Sequence, residues 1–228
     1  MTRPTAALGP LRTLRRSAAA ALVRGVAARE GIDHAGDVVA LTFDDGPDPE
    51  YSPAIMDELG RLGVVATFFV VGKRARAHPE LVRRALAEGH AVGSHSDTHP
   101  EPWTVPLRAL AADYRRGRRA AETALGRRVR LFRPPKGYLN GTGAAAMLAA
   151  RVRPWLWTVD PQDWMPDVRP DDIVAGVQGL AAGDVVLLHD AIEGPLAPSA
   201  LDRSATLAAL PAIADVATQR GLRFTTLG

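Results

Sequence analysis

Short apolar, β-branched runs alternate with helical stretches from about residue 37 onward, and this alternation constrains the fold more than any other feature. It is typical of parallel strands that are joined by crossover helices. Several runs are apolar throughout, as expected of strands that are buried on both faces. Strands are predicted over 38–43, 65–71, 90–95, 130–133, 156–160, 185–189 and 223–227.

The number of strands favours one particular α/β architecture. Seven strands with crossover helices over 37–228 indicate a small, irregular (β/α)7-type barrel, because a regular eightfold barrel needs about 250 residues. An open doubly wound sheet is the alternative fold. No glycine-rich phosphate motif follows the first strand, so a nucleotide site is not indicated. Helices are predicted over 53–62, 79–88, 107–125, 143–150, 171–180 and 204–220.

The first 36 residues form a basic segment ahead of the predicted α/β domain at 37–228. Residues 1–30 carry a net charge of +5 and the rest of the chain −2, so the overall charge indicates no nucleic-acid partner. The apolar run at 18–23 is shorter than the core of a signal peptide, which is the less favoured alternative. It favours an amphipathic helix that lies on the body of the protein or makes weak contact with an anionic membrane surface. We therefore expect a cytoplasmic or membrane-surface location, with an extracellular one as the alternative.

Ionisable residues follow five of the predicted strands. In a β/α barrel the carboxyl ends of the strands converge on one face, where the chemistry takes place. The chain has no cysteine, which excludes thiolate ligands, cysteine nucleophiles and disulfides. The strand ends carry Asp44-Asp45, His95 to His99, Arg133, Asp160 to Trp164, and His189.

Residue types at these ends point to a metal-dependent site. His95 and His99 are four residues apart, which places both imidazoles on one side of a turn or helix. With one carboxylate they make a three-ligand set with open positions, as in catalytic zinc sites. Asp44 follows a buried strand, where a carboxylate needs a partner, and a buried Arg133 would pair with a carboxylate.

Each feature also has an ordinary structural interpretation. An Asp-Asp pair before Gly-Pro is common in turns, and His189 after an apolar strand would suit the core. Core packing is likewise the ordinary interpretation of Trp155 and Trp157, whereas Trp164, just past a strand end, is a candidate platform for stacking on a sugar. The coincidence of five ionisable strand ends favours a functional cluster.

These strand ends resemble the motifs of the NodB-homology polysaccharide deacetylases, carbohydrate esterase family 4. Residues 42–47 match the family's TFDDGP motif, and 95–99 are similar to its two-histidine metal motif. Residues 133–135 are similar to RPPY, 160–164 to DxxDW and 187–189 to LxH, and all five motifs occur in the family's order.

The resemblance implies a role for each position. The implied catalytic residues are Asp44 as general base, Arg133 as its tether, His189 as general acid and Asp163 as the residue that orients the acid. The implied metal ligands are Asp45, His95 and His99. The implied substrate contacts are Trp164, Leu187, Pro135 and Lys136.

The resemblance further implies a metal-dependent hydrolase that removes N-acetyl groups from an N-acetylglucosamine-type glycan, chitin-like or peptidoglycan-like, through metal-activated water. The donor set favours Zn²⁺, with Co²⁺, Ni²⁺ or Mn²⁺ as alternatives. The alternative functions are an O-acetyl ester deacetylase for a polysaccharide such as acetylxylan and an inactive carbohydrate-binding protein.

Lys136 departs from the family pattern, which has tyrosine at this position. The family uses the backbone N–H there to bind the oxyanion, so we expect the chemistry to survive the exchange. The lysine side chain could instead favour an anionic substrate.

Overall fold

The computed structural model describes residues 28–33 and 36–228. Within them, five parallel strands form one sheet with the order β3-β2-β1-β4, and β5 pairs with the start of β1. The strands are β1 (Val38–Asp44), β2 (Ala66–Val70), β3 (Ala91–Ser94), β4 (Val185–His189) and β5 (Arg223–Phe224).

Isolated bridges close this sheet into a ring. Phe132 bridges Ser94 at the end of β3 on one side and Pro154 on the other. Further along the chain, Val159 bridges Val186 of β4. The segment around Phe132 and the segment from Pro154 to Val159 add two strand positions to the five strands of the sheet. The resulting seven positions confirm the irregular (β/α)7-type barrel and exclude the open doubly wound sheet.

Two predicted strands, 130–133 and 156–160, are reduced to these bridges. Two prolines follow the first segment, and a proline has no N–H to donate to a ladder. The side chain of Arg133 instead donates to the carbonyl oxygens of Trp155 (3.1 Å) and Leu156 (2.7 Å). These side-chain bonds add to the few main-chain hydrogen bonds of the bridges, in which the N–H of Arg133 donates to the carbonyl of Ser94 (3.0 Å) and the N–H of Trp155 to that of Phe132 (2.8 Å).

Helices cover the outside of the barrel. In the described residues they are α1 (Tyr51–Leu62), α2 (Gly72–Ala77), α3 (Pro79–Ala87), α4 (Leu107–Leu125), α5 (Gly141–Ala150), α6 (Pro170–Gly176) and α7 (Ser204–Gln219). The sequence pattern did not predict α2, whose six residues are too few to show a periodicity. α6 ends before the predicted residue 180. In the described part of the chain, no helix is both long and apolar enough to span a bilayer.

Side chains of the strands alternate between the helical layer and the barrel interior. Val39, Leu41 and Phe43 of β1 belong to the large core under the helices. Ala40 belongs to the small core inside the barrel, and Asp44 lies on the same face because side chains alternate along a strand. This alternation brings the polar strand ends to the mouth of the barrel.

The described part of the N-terminal segment binds the barrel. The N–H of Arg29 donates to the carbonyl of Pro154 (3.0 Å), and the N–H of Ile32 donates to the carbonyl of Gly183 (2.8 Å). The predicted apolar run at 18–23 and the helix containing it lie outside the described residues. The domain boundary after residue 36 stays a prediction.

Candidate active site

Asp45, His95 and His99 form one cluster at the mouth of the barrel. Oδ1 of Asp45 lies 3.3 Å from Nε2 of His95 and 3.3 Å from Nε2 of His99. One ligand atom from each of the three residues lies within 4.8 Å of the other two. The structure therefore brings the three sequence-predicted metal ligands together.

Contacts on the far side orient two of these side chains. Oδ2 of Asp45 accepts a hydrogen bond from the N–H of Glu193 (2.8 Å), and Oδ1 is buried without a hydrogen-bond partner. Nδ1 of His95 lies 2.9 Å from the carbonyl of Arg133. Because a carbonyl only accepts, Nδ1 carries a proton, which leaves Nε2 as the ring nitrogen that faces Asp45 and is placed to bind a metal. An orphaned carboxylate oxygen that faces two imidazoles fits a divalent cation.

The electrostatics of the cluster also suit a positive charge. Burial opposes ionisation of Asp45, but the neighbouring imidazoles of His95 and His99 outweigh it and lower the pKa of Asp45 below its usual range. Burial likewise opposes a charge on His95, but Asp44 and Asp45 outweigh it and raise the pKa of His95. Burial lowers the pKa of His99, which favours the neutral imidazole that binds metals.

Residues 95–99 form a loop that is packed from behind, so of the predicted turn or helix the helix is wrong. Ser96 has a left-handed φ of 67°. Gly117 of α4 lies so close that a Cβ there would come within 2.0 Å of the carbonyl oxygen of Ser96. The N–H of Asp97 donates to the buried Asp113 of α4 (2.8 Å). Helix α4 therefore sets the path of the loop that carries both histidines.

Asp44 lies beside the cluster and is bound by Arg133. Nη1 of Arg133 donates to Oδ1 of Asp44 (2.8 Å), and Oδ2 of Asp44 lies 3.7 Å from Nε2 of His95. The guanidinium is fully buried, donates to Oγ1 of Thr42 (2.7 Å) and lies 4.2 Å from the ring centroid of Phe69. The ion pair satisfies two charges that burial would otherwise penalise.

His189 is held by Asp163. Nδ1 of His189 lies 2.7 Å from Oδ1 of Asp163, whose Oδ2 accepts from the His189 N–H (2.8 Å) and from Thr206 (2.9 Å). Arg203 donates to the carbonyl of Asp163 (2.6 Å). Burial disfavours the imidazolium, but the Asp163 carboxylate outweighs it and raises the pKa of His189 to about 9.

The sheet places the side chains of Asp44 and His189 next to each other. Asp44 and His189 are register partners at the ends of the paired strands β1 and β4. Their side chains therefore leave the sheet at the same level and on the same face.

One pocket of about 370 Å³ is lined by Asp44, His189 and the cluster of Asp45, His95 and His99. Its volume is within the range of small-molecule sites. Trp164, Leu187 and Lys136 line it, whereas Pro135 is buried at the start of the adjoining turn. Lys136 Nζ lies 2.6 Å from Glu101, so the positive charge at this position is compensated.

Sequence reasoning missed much of the pocket wall. Trp157, for which core packing was the ordinary interpretation, lines the pocket. The loop after β4 forms one side of the wall, and the Gly194-Pro195 pair was its one signal in the sequence. No motif marked Arg203, the residue before α7, or Thr206 on α7, although both donate hydrogen bonds to Asp163. The missed lining residues are Tyr138, Trp157, Ile192, Glu193, Gly194, Pro195 and Leu196.

Comparison with known proteins agrees with this geometry. The profile of the family "Polysaccharide deacetylase" matches residues 31–155. The chain belongs to this family. It is 35% identical over 192 residues to a peptidoglycan-N-acetylglucosamine deacetylase of Bacillus cereus, covering 83% of this chain and 86% of that protein. The deacetylases of this family are metalloenzymes. In this chain, the cluster of Asp45, His95 and His99 provides a candidate metal site.

Two further relatives support the same assignment. The chain is 38% identical over 154 residues to a chitooligosaccharide deacetylase of Rhizobium leguminosarum bv. trifolii, covering 67% of this chain and 71% of that protein. The structure resembles a family 4 carbohydrate esterase from Streptomyces lividans in complex with acetate, with a TM-score of 0.73 and 33% identity over 85% of this chain and 94% of that one.

Proposed function

We propose that this deacetylase hydrolyses the N-acetyl groups of an N-acetylglucosamine-type glycan, chitin-like or peptidoglycan-like. The observation that carries the proposal is that Asp44 and His189 are register partners at the ends of β1 and β4. They lie beside the candidate metal ligands Asp45, His95 and His99. A carboxylate and an imidazole placed this way can remove a proton on one side of an acetyl group and donate one on the other. The two relatives named for their substrates act on glycans of this kind.

Asp44 is the proposed base. Its Oδ1 is bound by Arg133, which leaves Oδ2 to take a proton from the attacking water. Because the guanidinium also donates three hydrogen bonds to other groups, Oγ1 of Thr42 and the carbonyls of Trp155 and Leu156, it holds the carboxylate in one orientation. The water oxygen then forms a bond to the acetyl carbon, and the backbone N–H of Lys136 is the proposed donor to the carbonyl oxygen.

His189 is the proposed acid. Its Nδ1 is bound to Asp163, so its Nε2 is the atom available to the pocket. With a pKa raised to about 9, the ring carries its proton at neutral pH. Donation of that proton to the amide nitrogen allows the C–N bond to break and releases acetate and the free amine.

Asp45, His95 and His99 are the proposed ligands of a divalent cation, and zinc suits two imidazoles and one carboxylate. When bound, such a cation polarises the acetyl carbonyl and lowers the pKa of a coordinated water. Oδ1 of Asp45, which lacks a hydrogen-bond partner, and Nε2 of His95, which lies across the ring from the nitrogen bound to the Arg133 carbonyl, are atoms that fit it.

The O-acetyl ester deacetylase is the second candidate, since the same groups would hydrolyse an ester. The buried Asp163–His189 pair favours the amide, because an amine is the poorer leaving group and depends more on a proton. The complete set of base, acid and ligands disfavours an inactive carbohydrate-binding protein. The weak membrane contact of the basic N-terminal segment and the location of the enzyme stay predictions.

Acetate release from chitin oligomers, peptidoglycan and acetylxylan, each with chelator and with added Zn²⁺ or Co²⁺, tests the proposal. We expect release from the N-acetylated glycans, loss with chelator and return with metal. Asp44→Asn is the matched control because it leaves all three ligands: it should bind metal and release little acetate, whereas Asp45→Asn should bind metal weakly. Release from acetylxylan alone would establish the ester alternative, and no release by a metal-loaded protein would establish the inactive one.

A further inference from the structure

Positive charge is concentrated in one stretch of the domain. Residues 114–159 carry a net charge of +10, whereas the other residues of 31–228 together carry −12. Glu122 is the one acidic residue of this stretch. Arg116, Arg133 and Lys136 form ion pairs with acidic residues from outside it, and the other arginines of the stretch form none with the part of the chain that the structure describes. The stretch therefore presents uncompensated positive charge.

Most of these unpaired arginines meet near the ends of helices α4 and α5. Nη1 of Arg118 on α4 lies 3.3 Å from the carbonyl oxygens of Ala150 and Arg151, and these contacts hold the end of α5 against α4. Phe132 bridges Pro154, so the residues just before them lie at neighbouring strand starts. We name the exposed members of this cluster the arginine corner: Arg119, Arg127, Arg128, Arg130, Arg151 and Arg153.

The arginine corner lies at the end of the barrel opposite the pocket. The segment that starts at Arg130 ends in Arg133, which binds Asp44 at the mouth. Helix α4 begins beyond the loop of the proposed ligand His99, and its last residue, Leu125, is followed by the corner. Because parallel strands start at one end of a barrel and finish at the mouth, a partner bound to the corner leaves the pocket open.

The basic first part of the chain joins the body at this corner. The N–H of Arg29 donates to the carbonyl of Pro154 (3.0 Å), and the N–H of Leu156 donates to the carbonyl of Arg29 (2.6 Å). The residues ahead of Arg29 are therefore attached next to Arg153. Residues 1–27 carry five arginines and no acidic residue, and their charge adds to that of the corner.

An anionic lipid surface suits this arrangement. Clustered arginines repel one another, and a partner of opposite charge removes that repulsion. Leu148, on the last turn of α5, is 45% exposed and adds an apolar side chain near Arg151, as at protein surfaces that contact the lipid interface. The exposed residues of the described corner include no aromatic ring on which a base could stack, which disfavours a single-stranded nucleic acid.

We propose that the arginine corner, together with the basic residues 1–27, docks this protein on a bilayer that contains anionic phospholipids. The docked enzyme presents its pocket on the side away from the lipid, where a glycan beyond the bilayer can reach it. This inference goes beyond the proposed function and does not depend on which acetyl group is removed.

Co-sedimentation of the full chain with vesicles tests the proposal. We expect binding to vesicles of phosphatidylglycerol and phosphatidylcholine, none to vesicles of phosphatidylcholine alone, and weaker binding at high salt. One variant combines Arg119→Gln, Arg128→Gln and Arg153→Gln. It should weaken binding about 100-fold, since each arginine near an anionic bilayer contributes about fivefold to the binding constant.

The matched control removes the same charge from exposed positions outside the corner, by Arg83→Gln, Arg108→Gln and Arg169→Gln. It should weaken vesicle binding far less, and urea denaturation should show that both variants are folded.

Three outcomes would overturn the proposal. Equal weakening by the two variants would reduce the interaction to net charge and refute the corner. Vesicle binding that the corner variant leaves unchanged would assign the contact to residues 1–27 alone. Binding to a DNA duplex with none to the anionic vesicles would make a nucleic acid the partner of this surface.

Discussion

Two halves of the barrel supply different parts of the site. The paired half, β1 to β4, is joined by continuous ladders and leads into the proposed reacting and metal-binding groups Asp44, Asp45, His95 and His189. The bridged half, residues 130–163, is joined by isolated bridges and supplies Arg133 and Asp163. Each of these two binds one reacting group of the paired half, Asp44 or His189.

The halves differ in what fixes the backbone. In the paired half, main-chain hydrogen bonds fix it, so a side chain at a strand end can be exchanged while the strand stays in place. In the bridged half, main-chain hydrogen bonds are few, and the Arg133 side chain supplements them by donating to the carbonyls of Trp155 and Leu156. One residue there serves both the fold and the site, and its loss should damage both.

The largest expected effect is therefore that of Arg133→Met. Removing one partner of a buried ion pair should lower the free energy of unfolding by about 3–5 kcal/mol and abolish turnover. Arg133→Lys keeps the charge but loses the fork of donors, so its loss of stability should be intermediate. Urea denaturation of the metal-free proteins measures both.

Asp45→Asn is the matched variant from the paired half. Oδ1 of Asp45 has no hydrogen-bond partner and asparagine can still accept from the Glu193 N–H, so this exchange should lower the free energy of unfolding of the metal-free protein by less than Arg133→Met does. Equal destabilisation by Arg133→Met and Asp45→Asn would remove the distinction between the halves.

The next effect is chemical and confined to the paired half. His189→Ala should reduce turnover of N-acetylglucosamine oligomers by about 10²–10⁴-fold, the usual contribution of a general acid. An activated acetate ester should be affected far less, because its leaving group departs without a proton. The folded, metal-loaded variant should be compared with wild type on both substrates. Equal losses would contradict the role as acid.

A smaller effect should follow from Glu193→Gln. The Glu193 carboxylate lies 2.6 Å from Lys73 and 2.8 Å from Arg74, both on α2, and its backbone N–H binds Asp45. Losing the ion pairs should loosen that N–H and weaken Co²⁺ or Zn²⁺ affinity by about 10–100-fold, as for other residues that orient metal ligands.

Glu58→Gln removes a comparable surface ion pair on α1, with Arg61, and is the control. It should leave metal affinity unchanged. If Glu193→Gln also leaves affinity unchanged, the ladder of β1 suffices to orient Asp45 without the loop.

The smallest expected effect is a change in pH dependence. The folded-state pKa of His189, about 9, lies above the ordinary value of 6.5. The Asp163–His189 pair therefore stabilises the fold fully below about pH 6.5, and this stabilisation is lost as the pH rises through about 9. Activity that needs the protonated ring should also fall on the alkaline side, and a bound cation moves that limb toward lower pH.

Asp163→Asn removes the carboxylate that raises this pKa. The alkaline limb of kcat should move to lower pH, and turnover at neutral pH should fall less than in His189→Ala. Profiles of kcat against pH for both enzymes on one oligomer measure the shift. An unmoved limb would show that a different group sets it.

The strand-end residues were predictable because the relevant signal is local. Apolar runs that end in an ionisable residue are visible in the sequence, and parallel strands in a barrel bring those ends to one mouth. Asp44, His95 and His189 were found this way. The strands at 130–133 and 156–160 were overpredicted, because the pattern does not show that Arg133 binds the carbonyls which a neighbouring strand would need.

The sequence by itself determined which chemical groups reach the mouth of the barrel, through strand periodicity and the position of each strand end. Only the tertiary structure decided which atoms are free there. Oδ2 of Asp45 is bound by the N–H of Glu193, 148 residues further along the chain, and this contact leaves Oδ1 facing the two imidazoles. Trp103 meets Tyr138 in the same way, across two loops. Such contacts depend on the paths of distant loops, which packing sets and no local pattern encodes.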